Sequence, residues 1–272
     1  MRILVTNDDG IFSEGITALA EAVSELGEVV VVAPDREQSA SGHSLTLHRP
    51  LRIRQVREHW YAVDGTPTDC VNLAIQGLLK EQPPDLVLSG INFGVNLGND
   101  VTYSGTVSAT FEASNNGLPA IAFSQEIAPD FSFPASAARA RELLRALLDS
   151  QAGDKGRLPS DLLLNVNFPA VSPNGVRFAR LGQRHYLQSV VEKVDPRGRS
   201  YYWIGGTPNW EEEEGTDQRA VADGWISITP LHLDLTDYGG LERFAPMRDL
   251  LADSGLTLDE SGITDEPEDA GS

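Results

Sequence analysis

The chain has 272 residues, 40% of them hydrophobic, enough to bury one large core or a core with an appendage. Forty acidic against 21 basic residues give a net charge of −19, which argues against a protein that grips nucleic-acid backbones through basic patches. No apolar run approaches the ~18–20 residues of a membrane span, and a single cysteine, Cys70, excludes an intramolecular disulfide and every multi-cysteine zinc site.

The charge is uneven. Residues 211–272 carry a net −14, the first 210 only −5, and just three of the basic residues are lysines (Lys80, Lys155, Lys193). Two readings stay open: a surface suited to a high-salt cytoplasm, or a merely acidic tail. Met1-Arg2 leads into a strand pattern without the apolar stretch of a secretory leader, so the expected location is cytoplasmic.

In chain order, Ile3–Thr6 reads as a buried strand that runs into Asn7-Asp8-Asp9-Gly10. Ile16, Leu19, Ala20, Val23 and Leu26 recur at helical spacing, and Gly27 closes the run. Val29–Ala33 is a continuous apolar strand of the kind covered on both faces. After the polar loop Pro34–Ser44, shorter strands are expected at Leu45–Leu47, Leu51–Val56 and Trp60–Val63. A helix capped by Thr68 or Asp69 should reach Leu79, and Leu86–Ser89 is the next strand. Gly90–Tyr103 then forms an aperiodic stretch too long for a plain connection, which marks a functional loop. Ser104-Gly105-Thr106 opens a helix to about Asn116, followed by a strand at Ala120–Phe123, a helix from Pro134 to about Leu148 and a strand at Leu162–Val166. Beyond Pro169 the pattern turns β-rich, with strands at Val176–Arg180, Val190–Val194, Tyr201–Ile204 and Trp225–Thr229, and a last helix from Leu241 to about Ala252. The expected fold is α/β with a largely parallel sheet over residues 1–175. Residues 176–258 form a β-rich extension with a C-terminal helix, and 259–272 an acidic disordered tail.

In open α/β sheets, ligands bind beyond the carboxyl ends of the strands. Three polar clusters follow such ends here: Asn7–Gly10, Asp35–Ser44 and Gly90–Thr106. Asp8 and Asp9 are compatible with an ordinary turn, but two adjacent carboxylates at a crevice repel each other unless a hard divalent cation, which prefers oxygen ligands, joins them. Ser39, Asn92 and Asn96 are the neutral oxygens within reach, and the spacing does not separate the two asparagines. Tyr103-Ser104-Gly105-Thr106-Val107 places hydroxyls and free N–H groups at a helix start, which suits phosphate as well as a plain N-cap. No P-loop and no dinucleotide fingerprint occurs. A carboxylate pair with a cation facing a helix-end phosphate site points to phosphate-ester hydrolysis. His43 is a weak candidate for the general acid, and Cys70 reads as buried and inert.

These residues resemble the SurE family, the stationary-phase survival proteins. The similarity is carried by Ile3–Gly10, Ala33–Asp35 with Gln38–Gly42, Gly65–Val71, Ser89–Gly98, Tyr103–Val107 and Ile226–Leu231, in the family's order and over most of the chain to about Leu250. The resemblance implies a metal-dependent phosphomonoesterase, a 5′-nucleotidase that also takes 3′-nucleotides and short polyphosphate. It implies Asp8, Asp9, Ser39 and Asn92 as ligands of one divalent cation per subunit (Mg²⁺ or Mn²⁺, with Co²⁺ a further option) and Asp8 and Asp9 as the catalytic pair. Asn96, Ser104, Gly105 and Thr106 would hold the phosphate of a nucleoside monophosphate. The resemblance also implies a Rossmann-like three-layer core, with the β-rich segment joining subunits into a homodimer or homotetramer and neither nucleic-acid duplex nor membrane as partner. The rival readings are a non-catalytic nucleotide-binding module and a receiver-type signalling domain. The latter lacks a suitably placed lysine and would be about half this length.

Overall fold

The computed structural model of the chain describes residues 1–129, 131–150, 157–187, 190–205, 207–210, 213–244, 246, 247 and 254. The first strand, β1 (Arg2–Thr6), is buried almost throughout, as an unbroken Ile-Leu-Val run between two layers should be. Helix α1 (Glu14–Val23) follows, with Ile16, Leu19, Ala20 and Val23 buried along one face. Next come β2 (Glu28–Pro34), β3 (Ile53–Arg57) and β4 (Trp60–Val63). Leu45–Leu47 form no strand, and Leu47 is exposed, so their apolar side chains lack a sheet partner.

Helix α2 (Pro67–Leu73) continues as a π-helical turn over Ala74–Leu78. Its cap is Thr66 rather than Thr68 or Asp69. Thr66 accepts from the Asp69 N–H while Asp69 accepts from the Thr66 N–H, with Pro67 in the first turn. Strand β5 (Leu86–Phe93) runs four residues past the expected end at Ser89 and so carries Asn92 within it. A 3₁₀ turn (Gly98–Thr102) lies inside the long loop, and α3 (Gly105–Asn115) begins where the Ser104 cap predicts. Strand β6 (Ala120–Gln125), helix α4 (Phe133–Asp149) and strand β7 (Leu163–Phe168) complete the alternating part.

Beyond residue 175, β8 (Val176–Phe178) and, later, β13 (Ile226–Pro230) return to the same sheet. Between them lie β9 (Arg184–Leu187), β10 (Val190–Val194), β11 (Ser200–Ile204) and β12 (Thr207–Trp210), which form two antiparallel pairs outside the main sheet. A short helix, α5 (Asp217–Ala222), lies in the acidic stretch where the sequence pattern shows no helix.

The nine-stranded sheet has the order β3-β4-β2-β1-β5-β6-β7-β13-β8. All neighbours from β4 to β7 pair in parallel, β3 and β13 pair antiparallel to β4 and β7, and β8 pairs in parallel with β13. Helices α1 and α4 pack together over the core cluster on one face, and α2 packs with α3 on the other. This is the three-layer α/β arrangement. Contacts divide the chain into residues 1–232 and 233–272. The second unit holds α6 (Tyr238–Arg243), capped by Asp237. The expected helix to Ala252 and the tail from Asp259 lie largely outside the described residues.

Candidate functional site

The parallel strands end along one edge, and the polar clusters meet there. The turn after β1 is built by Asn7, which is fully buried. Its side-chain amide donates to the Gly10 carbonyl (3.1 Å) and to Ser13 Oγ (2.8 Å), and its Oδ1 accepts from the Gly10 N–H (3.2 Å). Asn7 therefore makes the turn, which leaves the next two carboxylates free to face the cavity.

Asp8 is only 6% exposed. It accepts a short hydrogen bond from the Thr106 hydroxyl at the start of α3. Burial pushes its carboxyl up to about 6 and the neighbouring Asp9 charge adds to this, while the Thr106 hydroxyl and N–H pull the other way. Asp9 is half-buried, and its Oδ2 accepts from the Phe93 N–H at 3.0 Å. Its pKa is also raised, first by burial and then by Glu37, against the Phe93 bond. Both carboxylates are thus held where they are costly to ionise unless a cation is beside them.

The other strand ends supply the neutral oxygens. The Gln38 N–H donates to the Asp8 carbonyl (2.8 Å), which draws the loop after β2 to the turn, and the next residue, Ser39, lines the same cavity. The Ser39 hydroxyl donates to Glu37 Oε1 at 2.6 Å. Asn92, on β5, donates its amide N–H to the Gly94 carbonyl (2.8 Å), so its orientation is set and its Oδ1 is not the atom spent in that bond. Among the described residues no group of three or more His, Cys, Asp or Glu side chains is disposed around a metal position. A centre here would have to rest on two carboxylates and neutral oxygens, a donor set that suits a hard divalent cation and not a soft one.

The cavity measures about 950 Å³. Five carboxylates, Asp8, Asp9, Glu14, Glu37 and Asp100, lie along its wall, with no lysine, arginine or histidine among its described lining residues. Asn96 and Ser104 also line it. Asn96 is tied from behind. Its N–H donates to Asn167 Oδ1 (2.8 Å), its amide N–H to Ser124 Oγ (2.8 Å), and its carbonyl accepts from Asn165 (2.7 Å) and Asn167 (3.1 Å). An amide nitrogen carries two hydrogens, so one remains for a ligand. Ser104 caps α3, its Oγ accepting from the Val107 N–H (3.1 Å).

Gly105 and Thr106 do not line the cavity. Thr106 is fully buried with its hydroxyl committed to Asp8. At Gly105 a Cβ would stand 2.8 Å from the Asp8 Cβ and 2.7 Å from Ser41 Oγ, so glycine is what allows the α3 end to abut Asp8. His43 also lies outside the lining. Its Nε2 is 3.0 Å from Glu112 Oε2, and its ring rests edge-on against Phe111. That bond, with help from Asn72, holds Glu112 below the usual carboxylate range.

Sequence reasoning passed over Ser124, Asn165, Asn167 and Asp217. Asp217 is fully buried, accepts from the Gly98 N–H (2.8 Å) and the Gly182 N–H (2.9 Å), and so ties the site loop to the β-rich segment. The readable signal was two asparagines inside the fully buried strand β7, since a buried polar group needs partners.

The family model described as "Survival protein SurE" matches residues 3–188. The 5′-nucleotidase SurE of Myxococcus xanthus is 55% identical over 243 residues, 88% of this chain and 90% of the relative. The 5′-nucleotidase SurE 1 of Thermus thermophilus is 51% identical over 252 residues, 90% of this chain and 97% of the relative. The crystal structure of the SurE protein from Aquifex aeolicus superposes with a TM-score of 0.79 at 44% identity, covering 92% of this chain and all of that one.

Proposed function

This chain belongs to the SurE family and is a phosphoric monoester hydrolase of the 5′-nucleotidase class, and we propose how its residues do that work. The observation that carries the reading is the acidic wall: Asp100 is paired with Arg184, and the other four carboxylates, Asp8, Asp9, Glu14 and Glu37, repel a dianionic phosphate ester unless positive charge is supplied among them. The buried, hydrogen-bonded pair Asp8 and Asp9 is the place for it. Nucleotidases of this family depend on a metal. Here Asp8, Asp9, Ser39 and Asn92 would hold one divalent cation, Mg²⁺ or Mn²⁺ with Co²⁺ as a substitute. When bound, such a cation lowers the pKa of a coordinated water and offsets charge on the phosphoryl group.

The remaining roles fall to the chain itself. Asn7 shapes the turn, Thr106 fixes Asp8 and the Phe93 N–H fixes Asp9, so neither carboxylate has to reorganise as charge develops. Asn96, through its remaining amide hydrogen, and Ser104 at the positive end of α3 would receive the phosphate oxygens of a nucleoside 5′-monophosphate. Gly105 and Thr106 serve the phosphate site from one layer behind, by bringing the α3 end against Asp8. 3′-Nucleotides and short polyphosphate share the same reacting group and belong to the same proposed range.

Two further proposals concern the setting. The hairpin β10–β11 exposes Val190, Val194, Tyr202, Trp203 and Ile204, an apolar surface that supports assembly into a homodimer or homotetramer. The single, buried, unpaired Cys70 is consistent with the cytoplasm. Among the described residues no helix is long and apolar enough to cross a membrane.

The test is release of inorganic phosphate from AMP. Protein stripped with EDTA should be inactive and should recover with Mg²⁺ or Mn²⁺. Full turnover by the stripped protein would overturn the cation reading.

A further inference from the structure

One part of the cavity is unlike the rest. Phe93, Phe131 and Phe133 form a cluster on its wall, with ring centroids 5.7 Å apart for Phe93–Phe131, 5.1 Å for Phe131–Phe133 and 6.5 Å for Phe93–Phe133. The three do not share one role. Phe133 is buried at the start of α4 and packs into the core, with Gly15 leaving room for its ring. Phe93 is 57% exposed. Burial therefore explains Phe133, but it does not explain an aromatic ring at position 93.

The position of Phe93 suggests its use. Its N–H is the group that donates to Asp9 Oδ2, and it follows Asn92 directly, so the ring starts one residue from the proposed reacting centre. Binding an inorganic cation or a bare phosphate gains nothing from an apolar face there. A nucleoside monophosphate does, because its flat base must lie some way from the phosphate and has a π-face to cover. The contacts to Phe131 and Phe133 are T-shaped or tilted, not parallel stacks, so the Phe93 ring is braced in place while more than half its surface stays open.

We infer that Phe93, braced by Phe131 and Phe133, is the surface on which the nucleobase of the substrate stacks, and that it selects nucleotides over small phosphate esters. This rests on the nucleotidase reading above. Stacking on an aromatic ring is tolerant of base identity because every base presents a π-face. Discrimination among bases by this ring should accordingly be weak, while discrimination against a substrate with no base should be strong.

The experiment compares wild type, Phe93→Ala and Phe93→Tyr with Mn²⁺ present, using AMP, CMP and ribose 5-phosphate. Base stacking is worth roughly 5–150-fold per base on truncation to alanine. The ratio of kcat/KM for AMP to that for ribose 5-phosphate should therefore fall at least about fivefold in Phe93→Ala, with CMP following AMP. Phe93→Tyr should restore most of the ratio. A ratio unchanged in Phe93→Ala would overturn the inference. So would an equal loss for both substrates accompanied by weakened Mn²⁺ binding, since that would make Phe93 a prop for Asp9. Binding of adenosine, which has no phosphate, is measured on the same proteins by calorimetry. If wild type turns over no ester, the hydrolase reading falls, and loss of adenosine binding in Phe93→Ala still decides the stacking role.

Discussion

The turn Asn7–Gly10 and the hairpin β10–β11 are built on opposite plans. In the turn, both carboxylates are held by partners far away in the sequence: Asp8 by Thr106, Asp9 by Phe93, and the Asp8 carbonyl by Gln38. In the hairpin, paired strands leave Val190, Tyr202, Trp203 and Ile204 exposed. The first arrangement fixes the position of charge to within a hydrogen bond, which is what chemistry on a phosphate ester requires. The second offers area without fixed partners, which is what association between subunits requires. A substitution in the turn should therefore change turnover with little change in assembly, and one at Val190, Tyr202 or Trp203 the reverse, whereas Ile204, at the hairpin's end, also lines the cavity.

The strongest challenge to that contrast is Asp8→Asn or Asp9→Asn. Loss of a group that merely orients a metal ligand costs about 10–100-fold, so loss of a proposed ligand should cost more than about 100-fold in phosphate release. Asp8→Asn should not lower the Tm of the metal-free protein, because it removes a carboxylate that burial already disfavours in its charged form. Near-normal activity in either variant would break the comparison.

Thr106→Val tests the layer behind. It removes the hydroxyl that fixes Asp8 but leaves the proposed ligands in place, so Mn²⁺ affinity read by calorimetry should fall about 10–100-fold. Thr68→Val, at a hydroxyl equally buried but without a partner, should leave that affinity unaltered. Equal effects would mean that Thr106 contributes packing alone.

The smallest effect is expected in the hairpin. Trp203→Ser removes a side chain that is 62% exposed, so folding stability should move by no more than about 0.5 kcal/mol. Size-exclusion chromatography should nevertheless show a shift toward smaller species. An unchanged profile would remove the hairpin from the proposed interface.

Much of this site was legible in the sequence because its signals are local. A strand running into Asn-Asp-Asp-Gly, and a Ser-Gly-Thr at a helix start, each state their geometry within a few residues, and parallel strands bring their ends together. Asn92 was less legible, since β5 was expected to stop at Ser89 but continues through Phe93, where polar Asn92 still pairs with Ser124 of β6. What no local pattern contained was who bonds to whom. Thr106 belongs to Asp8 rather than to the cavity, His43 is engaged with Glu112, and Asn96 is anchored by residues 28 to 71 positions away. The Thr66 cap was readable in Thr66-Pro67-Thr68-Asp69, a capping-box pattern with proline at the first helical position, but Thr68 and Asp69 are competent caps as well, and the reciprocal bond with Asp69 selects Thr66.

The carboxylates along the cavity wall have a consequence for encounter as well as for capture. A protein of charge −19 with an acidic mouth slows an approaching phosphate ester before contact is made. Mobile salt shortens the reach of that repulsion to about 8 Å at 0.15 M and about 3 Å at 1 M. Association should then quicken as ionic strength rises, the reverse of enzymes that draw anions in with basic residues.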